Sequence, residues 1–222
     1  MGGRSEYLFT GLIESTGAIV SSNQKNEVRE IVIGGVYFAS DLKEGDSVSV
    51  SGACLTVTWI GSGVFAVEMI PETYENTILG FVSAGYRVNL ERSMMASGRF
   101  EGHIVTGHVD TVGRISNIIR KGRSREALIE IEPPLSRYVV RKGSVSVQGV
   151  SLTVMDAGNG FFRIGLIPKT LETTTLNDLE AGSIVNIEFD IVSKYIETLL
   201  AGRSGETGKP LTMERLGEMG WV

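Results

Sequence analysis

Short runs of alternating apolar and polar residues, separated by Gly, Asn and Asp, follow one another along most of the chain. A period of two is the pattern of half-buried β-strands, and the separators are typical of tight turns. Proline followed by acidic residues favours a short helix over Pro71–Asn76, with Pro168–Glu172 as its counterpart. In the first half the pattern predicts strands over Leu8–Glu14, Gly17–Ser22, Val28–Val36, Ser47–Val50, Cys54–Ile60, Val64–Met69 and Arg87–Glu91.

The second half of the chain repeats the first. Gly17 matches Gly113 at an offset of 96 residues, and Leu55 matches Leu152 at an offset of 97 that then holds as far as Asn89 and Asn186. We therefore predict two homologous domains, residues 1–97 and 98–190, with a tail over 191–222. Repeats of this size with short antiparallel strands close most readily as barrels. The predicted fold is all-β, with tandem six-stranded Greek-key barrels and a C-terminal helix.

The tail has a different pattern. Apolar side chains at positions 192, 195, 196, 199 and 200 form one stripe of a helix over residues 191–201. Such a helix either packs on its own domain or joins partner chains, and the pattern alone does not separate the two. Residues 202–222 begin as a Gly-rich segment, predicted to be flexible, and end in Leu216, Met219 and Trp221.

Composition and charge narrow the class of protein. The chain has 222 residues, 28 Gly against 5 Pro, and a net charge of −5 without a basic cluster that could follow a phosphate backbone. Nucleic acid is therefore not expected as a partner. The single cysteine excludes an intramolecular disulfide and suits a reducing compartment. Neither a membrane span nor a signal peptide is predicted, because no apolar run is long enough.

The two histidines, His103 and His108, lie five residues apart in Gly102–Asp110. On a strand they would point to opposite faces, which is poor geometry for a metal site, so no metal is expected. A structural role is the simpler interpretation for His103. His108 differs because the repeat pairs it with Leu12, so the second half has a titratable group where the first has an apolar one.

Two other positions differ in the same way. The segment Ser51–Thr58 is repeated as Gln148–Val154, with Ser151 in place of Cys54, and Asp190 stands opposite Ser93. Serine, histidine and aspartate in one barrel are compatible with a hydrolase triad, but the Gly-x-Ser-x-Gly elbow is missing. The structural alternative is that Ser151 caps a turn and Cys54 is a small buried side chain.

Seven segments together resemble the riboflavin synthase family, in the family's order and over residues 8 to about 200. The resemblance implies an enzyme that converts two molecules of 6,7-dimethyl-8-ribityllumazine into riboflavin and 5-amino-6-(D-ribitylamino)uracil, without a metal or redox cofactor. The segments are Leu8–Glu14, Gly52–Val57, Gly102–Asp110, Lys142–Ser144, Gly149–Val154, Leu166–Thr170 and Val185–Asp190.

The resemblance also implies a homotrimer. In the family the site forms where the first barrel of one subunit meets the second barrel of a neighbour, and the tail helix gathers the three chains. The implied trimer is either free or enclosed in a lumazine synthase shell, in the cytoplasm or, for a plant sequence, the plastid stroma. The alternative function within the same fold is that of a lumazine- or flavin-binding antenna protein, which binds without catalysis.

Matching the family's motifs residue by residue implies the site. Ser151 and His108, with Asp190 in support, would handle protons or a nucleophile; Cys54 would act in the first barrel, and Phe9 would stack at the subunit junction. The first pocket would be lined by Gly11, Leu12, Ile13, Cys54, Leu55, Thr56, Glu68, Met69, Ile70, Pro71, Glu72 and Thr73. The second would be lined by Gly107, His108, Val109, Lys142, Ser151, Leu152, Thr153, Leu166, Ile167, Pro168, Lys169, Thr170 and Leu171.

Overall fold

The computed structural model describes residues 8–205 and Met213. They fall into two compact units, one ending at Ile191 and one beginning at Val192. The first unit contains two closed antiparallel barrels of six strands each, which confirms the predicted fold. The first barrel consists of β1 Ser15–Lys25, β2 Val28–Gly34, β3 Ser47–Val50, β4 Ala53–Gly61, β5 Val64–Met69 and β6 Arg87–Arg92. The second consists of β7 Thr111–Lys121, β8 Ser124–Glu130, β9 Ser144–Val147, β10 Val150–Gly158, β11 Phe161–Leu166 and β12 Ile184–Phe189.

The two barrels have the same topology. The strand order around the first is β1-β2-β5-β4-β3-β6, and the second follows the equivalent order β7-β8-β11-β10-β9-β12. Bulges in β1 and β4 recur at the equivalent places in β7 and β10, where they bend long strands around the barrel. The boundaries at residues 97 and 190 stay predictions; β6 ends at Arg92 and β7 begins at Thr111.

Side chains alternate between the barrel core and the outside along each strand. In β4, Ala53, Leu55 and Val57 are buried in the core, whereas Thr56 is exposed and Cys54 is partly buried. The same alternation in β10 buries the core residues and turns Ser151 outward. The period of two therefore places the thiol and the hydroxyl on outer barrel faces, where they are free to contact other segments.

Each repeated segment begins with a two-residue hairpin turn. Ser51 and Gly52 have φ values of 46° and 90°, and Gln148 and Gly149 have values of 52° and 79°. Two successive positive φ values define the turn whose twist matches antiparallel strands. The two turns also meet, since a Cβ atom on Gly52 would lie 2.9 Å from the Gly149 nitrogen. The repeated glycines therefore allow the barrels to approach each other.

Two buried asparagines connect the barrels at the same place. Asn89 Nδ2 donates to the Gln148 carbonyl at 2.9 Å, and Asn186 Nδ2 donates to the Ser51 carbonyl at 2.9 Å. The two residues are equivalent in the repeat, so the contact has local twofold symmetry. Because each turn carbonyl is bonded by the other barrel, the relative position of the two Gly-containing turns is fixed.

Gly52→Ala is expected to lower the free energy of unfolding by about 2 kcal/mol more than Gly63→Ala. Both glycines have positive φ, but a Cβ atom on Gly63 would meet nothing within 4 Å. The control therefore carries only the backbone cost of about 1 to 2 kcal/mol, and the difference reports the barrel contact. Denaturant titration of the two variants measures it; equal losses would contradict the contact.

The predicted short helices are present as α1 Pro71–Asn76 and α2 Pro168–Thr173. Short 3-10 turns cover Ala39–Asp41, Ile78–Gly80, Pro133–Tyr138 and Thr175–Asp178. The predicted strand over Leu8–Glu14 is wrong: the segment makes a single β-bridge at Phe9, and Gly11 has a φ of 77°. Its amides at positions 10 and 11 donate to the Glu91 carboxylate instead of to a strand.

The tail helix, α3 Ile191–Gly205, extends four residues beyond its predicted end. The five side chains of the predicted stripe, at positions 192, 195, 196, 199 and 200, are each more than half exposed. Leu216, Met219 and Trp221 lie outside the described residues. No helix in the described part of the chain is long and apolar enough to cross a membrane.

Candidate active site

The segment that precedes the first strand of each repeat is called here the leading segment, residues 8–14 in the first repeat and 102–110 in the second. Each leading segment lies against the other barrel. Phe9 and Val105, which are equivalent in the repeat, pair as an antiparallel bridge. Beyond this bridge Ile13 packs on the core of the second barrel, and Val109 packs on the core of the first. Each barrel is therefore completed by a segment that the sequence assigns to the other repeat.

Ser151 on β10 lies in contact with Gly11 and His103, and these three residues with Thr10 are called here the Ser151 pocket. The Ser151 amide donates to the Gly11 carbonyl at 2.8 Å, and its Oγ lies 2.7 Å from Nδ1 of His103. The His103 amide in turn donates to the Thr10 carbonyl at 3.3 Å. The close approach requires glycine, because a Cβ atom on Gly11 would lie 2.6 Å from the Ser151 Cβ.

His103 is buried, and burial lowers the pKa of its imidazole, with the negative charge of Asp190 opposing that shift. A lowered pKa keeps the ring neutral near pH 7. A neutral ring with its proton on Nε2 can accept the hydroxyl proton of Ser151 at Nδ1. Among the described residues, the buried Nε2 has no hydrogen-bond partner. Ser151 and His103 are thus in contact, and Asp190 acts on the imidazole through its charge.

Cys54 on β4 lies at the equivalent place in the first barrel, beside a cavity of about 790 Å3, called here the Cys54 pocket. Its amide donates to the Gly107 carbonyl at 2.8 Å, and a Cβ atom on Gly107 would lie 2.4 Å from the Cys54 Cβ. The cavity is lined by Ala53, Cys54, Ile70, Glu72, Thr73, Asn76, Thr77, Gly107, His108, Val109 and Asp110.

The Cys54 thiol is not activated as a nucleophile. Burial raises its pKa, the charge of Glu188 adds to the shift, and the nearby Ser47 hydroxyl opposes it. Only a thiolate is a strong nucleophile, and a raised pKa keeps the group protonated near pH 7. The two pockets therefore differ chemically: one holds a neutral thiol, the other a hydroxyl bonded to a neutral imidazole.

The grouping of residues implied by the sequence is wrong at two points. Gly11 and Ile13 lie with Ser151, and Gly107, His108 and Val109 lie with Cys54, because the leading segments cross between barrels. The histidine in contact with Ser151 is accordingly His103. The expectation that Gly102–Asp110 is a strand also fails, since Gly102 and Gly107 have φ values of 117° and 78°.

Phe9 has no exposed surface in the single chain, and its stacking at a subunit junction stays a prediction. Its backbone pairs with that of Val105 as an antiparallel bridge, with the Phe9 amide donating at 2.8 Å and the Val105 amide donating at 3.1 Å.

The remaining predicted binding residues divide by burial. Five contribute side chains to the barrel cores, so only their backbone atoms are available to a ligand: Leu55, Met69, Leu152, Leu166 and Leu171. The others are exposed or partly exposed: Leu12, Thr56, Glu68, Ile70, Pro71, Glu72, Thr73, Lys142, Thr153, Ile167, Pro168, Lys169 and Thr170.

Lys142 has a strained backbone. Its φ is 69°, and the equivalent residue of the first repeat is Gly45, with a φ of 92°. A side chain in this left-handed region costs roughly 1 to 2 kcal/mol. Strain of this kind is common at functional sites, and Lys142 as a binding residue stays a prediction.

Glu91, which the sequence patterns did not single out, is nearly fully buried beside the Ser151 pocket. Burial raises its pKa to about 7, although hydrogen bonds from Thr10 and Gly11 oppose the shift and the charge of Glu14 adds to it. The repeat pairs it with Glu188, which is also buried. The repeat could have identified both carboxylates from the sequence, because each lies two residues after an Asn in the last strand of its barrel.

The Glu91 shift predicts a pH dependence of stability. Since the folded pKa lies above the unfolded value of 4.5, the folded protein binds the proton more tightly. The free energy of unfolding should therefore fall as pH rises from about 5 to 7, by up to roughly 3 kcal/mol, and then level off. Glu91→Gln should remove this slope in urea titrations at pH 5, 6, 7 and 8. An unchanged slope in the variant would contradict the assignment.

Among the described residues, no cluster of three or more His, Cys, Asp or Glu side chains is arranged to hold a metal ion. The groups that the two pockets offer for proton transfer include a thiol, a hydroxyl, two imidazole rings and the carboxyl groups of Glu72 and Asp110.

The family model of the lumazine binding domain matches the chain twice, over residues 10–93 and 106–190. The chain is 40% identical to a riboflavin synthase of Actinobacillus pleuropneumoniae over 215 residues, which cover 96% of this chain and 100% of that protein. It is 38% identical to a riboflavin synthase of Bacillus subtilis (strain 168), again over 96% of this chain and 100% of the relative. These matches extend over both barrels.

Solved structures of LumP share the fold. LumP complexed with riboflavin has a TM-score of 0.76 at 22% identity, covering 82% of this chain and 98% of that chain. LumP complexed with 6,7-dimethyl-8-(1'-D-ribityl) lumazine has a TM-score of 0.74, also at 22% identity, covering 81% of this chain and 98% of that chain.

Proposed function

The chain belongs to the riboflavin synthase family, and on that premise we propose that it catalyses the dismutation of 6,7-dimethyl-8-ribityllumazine. A four-carbon unit passes from one lumazine to another, which gives riboflavin and 5-amino-6-(D-ribitylamino)uracil. The observation that carries the proposal is the pair of repeat-equivalent positions in one chain, each with its amide on a glycine carbonyl of the other repeat, with a thiol at one and a hydroxyl at the other. Two molecules of one substrate need two similar sites, and their different roles need a chemical difference.

The reaction begins with loss of a proton from the 7-methyl group of one lumazine, followed by attack on C7 of the other. We assign the proton transfers in the Ser151 pocket to Ser151 and His103. The 2.7 Å contact allows the imidazole to take the hydroxyl proton as the hydroxyl oxygen accepts a proton from the 7-methyl group, so that the proton passes to His103 and Ser151 is left as a hydroxyl. Asp190 stabilises the imidazolium that forms, because its charge favours the protonated ring.

The Cys54 pocket holds the other lumazine. Its neutral thiol can donate a proton or a hydrogen bond but does not compete as a nucleophile, because burial raises its pKa. His108 is exposed on the wall of the cavity, where its ring nitrogens are available for hydrogen bonds to a ligand. Glu72 and Thr73 at the start of α1 supply polar atoms to the same cavity, as sites for the ribityl chain and the pyrimidinedione edge.

The protein acts as a homotrimer in this proposal. The apolar stripe of α3 is exposed along its length and provides a surface for partner chains. Facing pockets then come from the first barrel of one chain and the second barrel of its neighbour, so that two lumazines lie in contact. The named relatives are bacterial, which supports the bacterial cytosol as the compartment.

Incubation of the purified chain with dimethylribityllumazine alone tests the function. We expect the absorbance of riboflavin to appear at a rate proportional to protein concentration. The contact between Ser151 and His103 is the reason to expect turnover instead of binding alone. Tight, fluorescent binding without product would instead support an antenna role, in agreement with the LumP fold.

A further inference from the structure

Two buried carboxylates make the same set of hydrogen bonds in the two repeats. Glu91 on β6 accepts from the Thr10 amide at 2.7 Å, the Thr10 hydroxyl at 2.8 Å and the Gly11 amide at 3.0 Å. The equivalent Glu188 on β12 accepts from the Thr106 amide at 2.6 Å and the hydroxyl at 2.7 Å. It also accepts from the amide of the following glycine at 3.0 Å.

The glycine held by each carboxylate is the one that contacts the opposite pocket. The Gly11 carbonyl accepts from the Ser151 amide at 2.8 Å, and the Gly107 carbonyl accepts from the Cys54 amide at 2.8 Å. Each glycine therefore has its N–H on a carboxylate of one barrel and its carbonyl on a pocket residue of the other. A movement of either glycine must displace the residue that it contacts.

The connection crosses between barrels. Glu91 belongs to the first barrel, but through Gly11 it is connected to Ser151 in the second barrel. Glu188 belongs to the second barrel and reaches Cys54 in the first. The two connections share no residue, so each pocket has its own support.

The contacts require a carboxylate. All three groups facing each side chain are donors, and a carboxylate has only acceptor oxygens. An amide of the same shape would turn an NH2 group towards one of these donors, and a buried donor without an acceptor is costly. A Glu→Gln substitution therefore releases the glycine segment with little change in side-chain volume.

We propose that Glu91 and Glu188 are positioning residues, each of which fixes the active-site residue of the opposite barrel: Glu91 fixes Ser151, and Glu188 fixes Cys54. Neither carboxylate needs to touch the substrate. The expected effect of these carboxylates on turnover rests on the proposed function, whereas their effect on the position of Ser151 and Cys54 does not. The two pockets are adjusted separately, each by a carboxylate that belongs to the other barrel.

Hydrogen–deuterium exchange of single amides tests the proposal at pH 8 in the whole chain. Glu91→Gln should raise the exchange rate of the Ser151 amide about tenfold or more and leave the Cys54 amide within about twofold. Glu188→Gln should give the reverse. The exposed Glu44→Gln is the matched control and should change neither amide. Equal acceleration at both amides, or at neither, would overturn the proposal.

Turnover provides the second measurement. Glu91→Gln should lower kcat about tenfold or more with KM within about threefold, because binding surfaces remain while Ser151 is displaced. Its effect should be non-additive with Ser151→Cys and additive with Cys54→Ser; Glu188→Gln should show the opposite couplings. Additivity in all four pairs would contradict separate support. If the wild-type chain shows no turnover, the proposed function fails while the exchange pattern still decides the positioning role.

Thr10→Val covers the case in which Glu91→Gln does not fold. It removes only the hydroxyl contact of 2.8 Å and keeps both amide contacts. The Ser151 amide should exchange faster than in the wild type, by a smaller factor than in Glu91→Gln, with the Cys54 amide unchanged. Faster exchange at Cys54 would count against the crossed connection.

Discussion

Ser151→Ala is expected to lower kcat by roughly a hundredfold or more, while lumazine affinity changes about threefold or less. The hydroxyl that is removed is the group bonded to His103 at 2.7 Å, and the barrel wall around it keeps its shape. His103→Ala should give a similar loss, because the hydroxyl then has no proton acceptor. The double variant should be no slower than the worse single variant, since the two side chains act as a unit. Steady-state kinetics and equilibrium titration measure both quantities.

His108→Ala is the matched control for His103→Ala. Both replace a histidine by alanine within one segment, but His108 is exposed beside the Cys54 pocket, whereas His103 is buried on Ser151. We expect the His108 variant to lose about tenfold or less in kcat. A larger loss at His108 than at His103 would contradict the assignment and favour the pairing of Ser151 with His108.

Leu199→Glu is expected to dissociate the proposed trimer and reduce activity by about a hundredfold or more. The side chain lies on the exposed apolar stripe of α3, and a carboxylate buried between helices is strongly unfavourable. In the proposed assembly the two facing pockets belong to different chains, so assembly and turnover should be lost together. Light scattering after size-exclusion chromatography measures the mass.

Thr198→Glu is the control for this substitution. Thr198 is exposed on α3 but lies off the apolar stripe, with its hydroxyl bonded to the Lys194 carbonyl at 2.9 Å. It should leave both mass and activity near the wild-type values. A monomeric Leu199→Glu protein with full activity would show that one chain forms a complete site, contrary to the proposal.

The chemical difference between the pockets follows from one repeated position and its surroundings. Ser151 has a buried imidazole beside it, whereas the Cys54 thiol is held neutral by burial and by the nearby charge of Glu188. Substituting Ser for Cys54 and Cys for Ser151 would therefore not by itself interchange the chemical roles of the two pockets. The leading segment of the second repeat also contributes to the difference, because it places His103 beside Ser151 and His108 beside Cys54.

The barrels could be predicted from the sequence because strand alternation and the repeat are local patterns. Offsets of 96 and 97 place every strand of the second barrel on its counterpart in the first. The tight turns at Gly52 and Gly149 are local features as well, because each glycine stands at the junction of two alternating runs.

The crossing of the leading segments could not be predicted in this way. Because the repeats are alike, Gly11 fits beside either barrel as far as hydrophobic pattern is concerned. The choice depends on long-range contacts, namely the bonds to Glu91 and Ser151. His103 was missed for a related reason: its repeat partner is Tyr7, which precedes the segment where the two halves are clearly similar.

The mass balance of the reaction decides whether two similar pockets act on two molecules of one substrate. The purified chain is supplied with dimethylribityllumazine as the only organic substrate, and all products are separated by chromatography. We predict one riboflavin and one 5-amino-6-(D-ribitylamino)uracil for every two lumazines consumed. Riboflavin formed from single lumazine molecules, or lumazine bound without any conversion, would contradict the two-pocket mechanism.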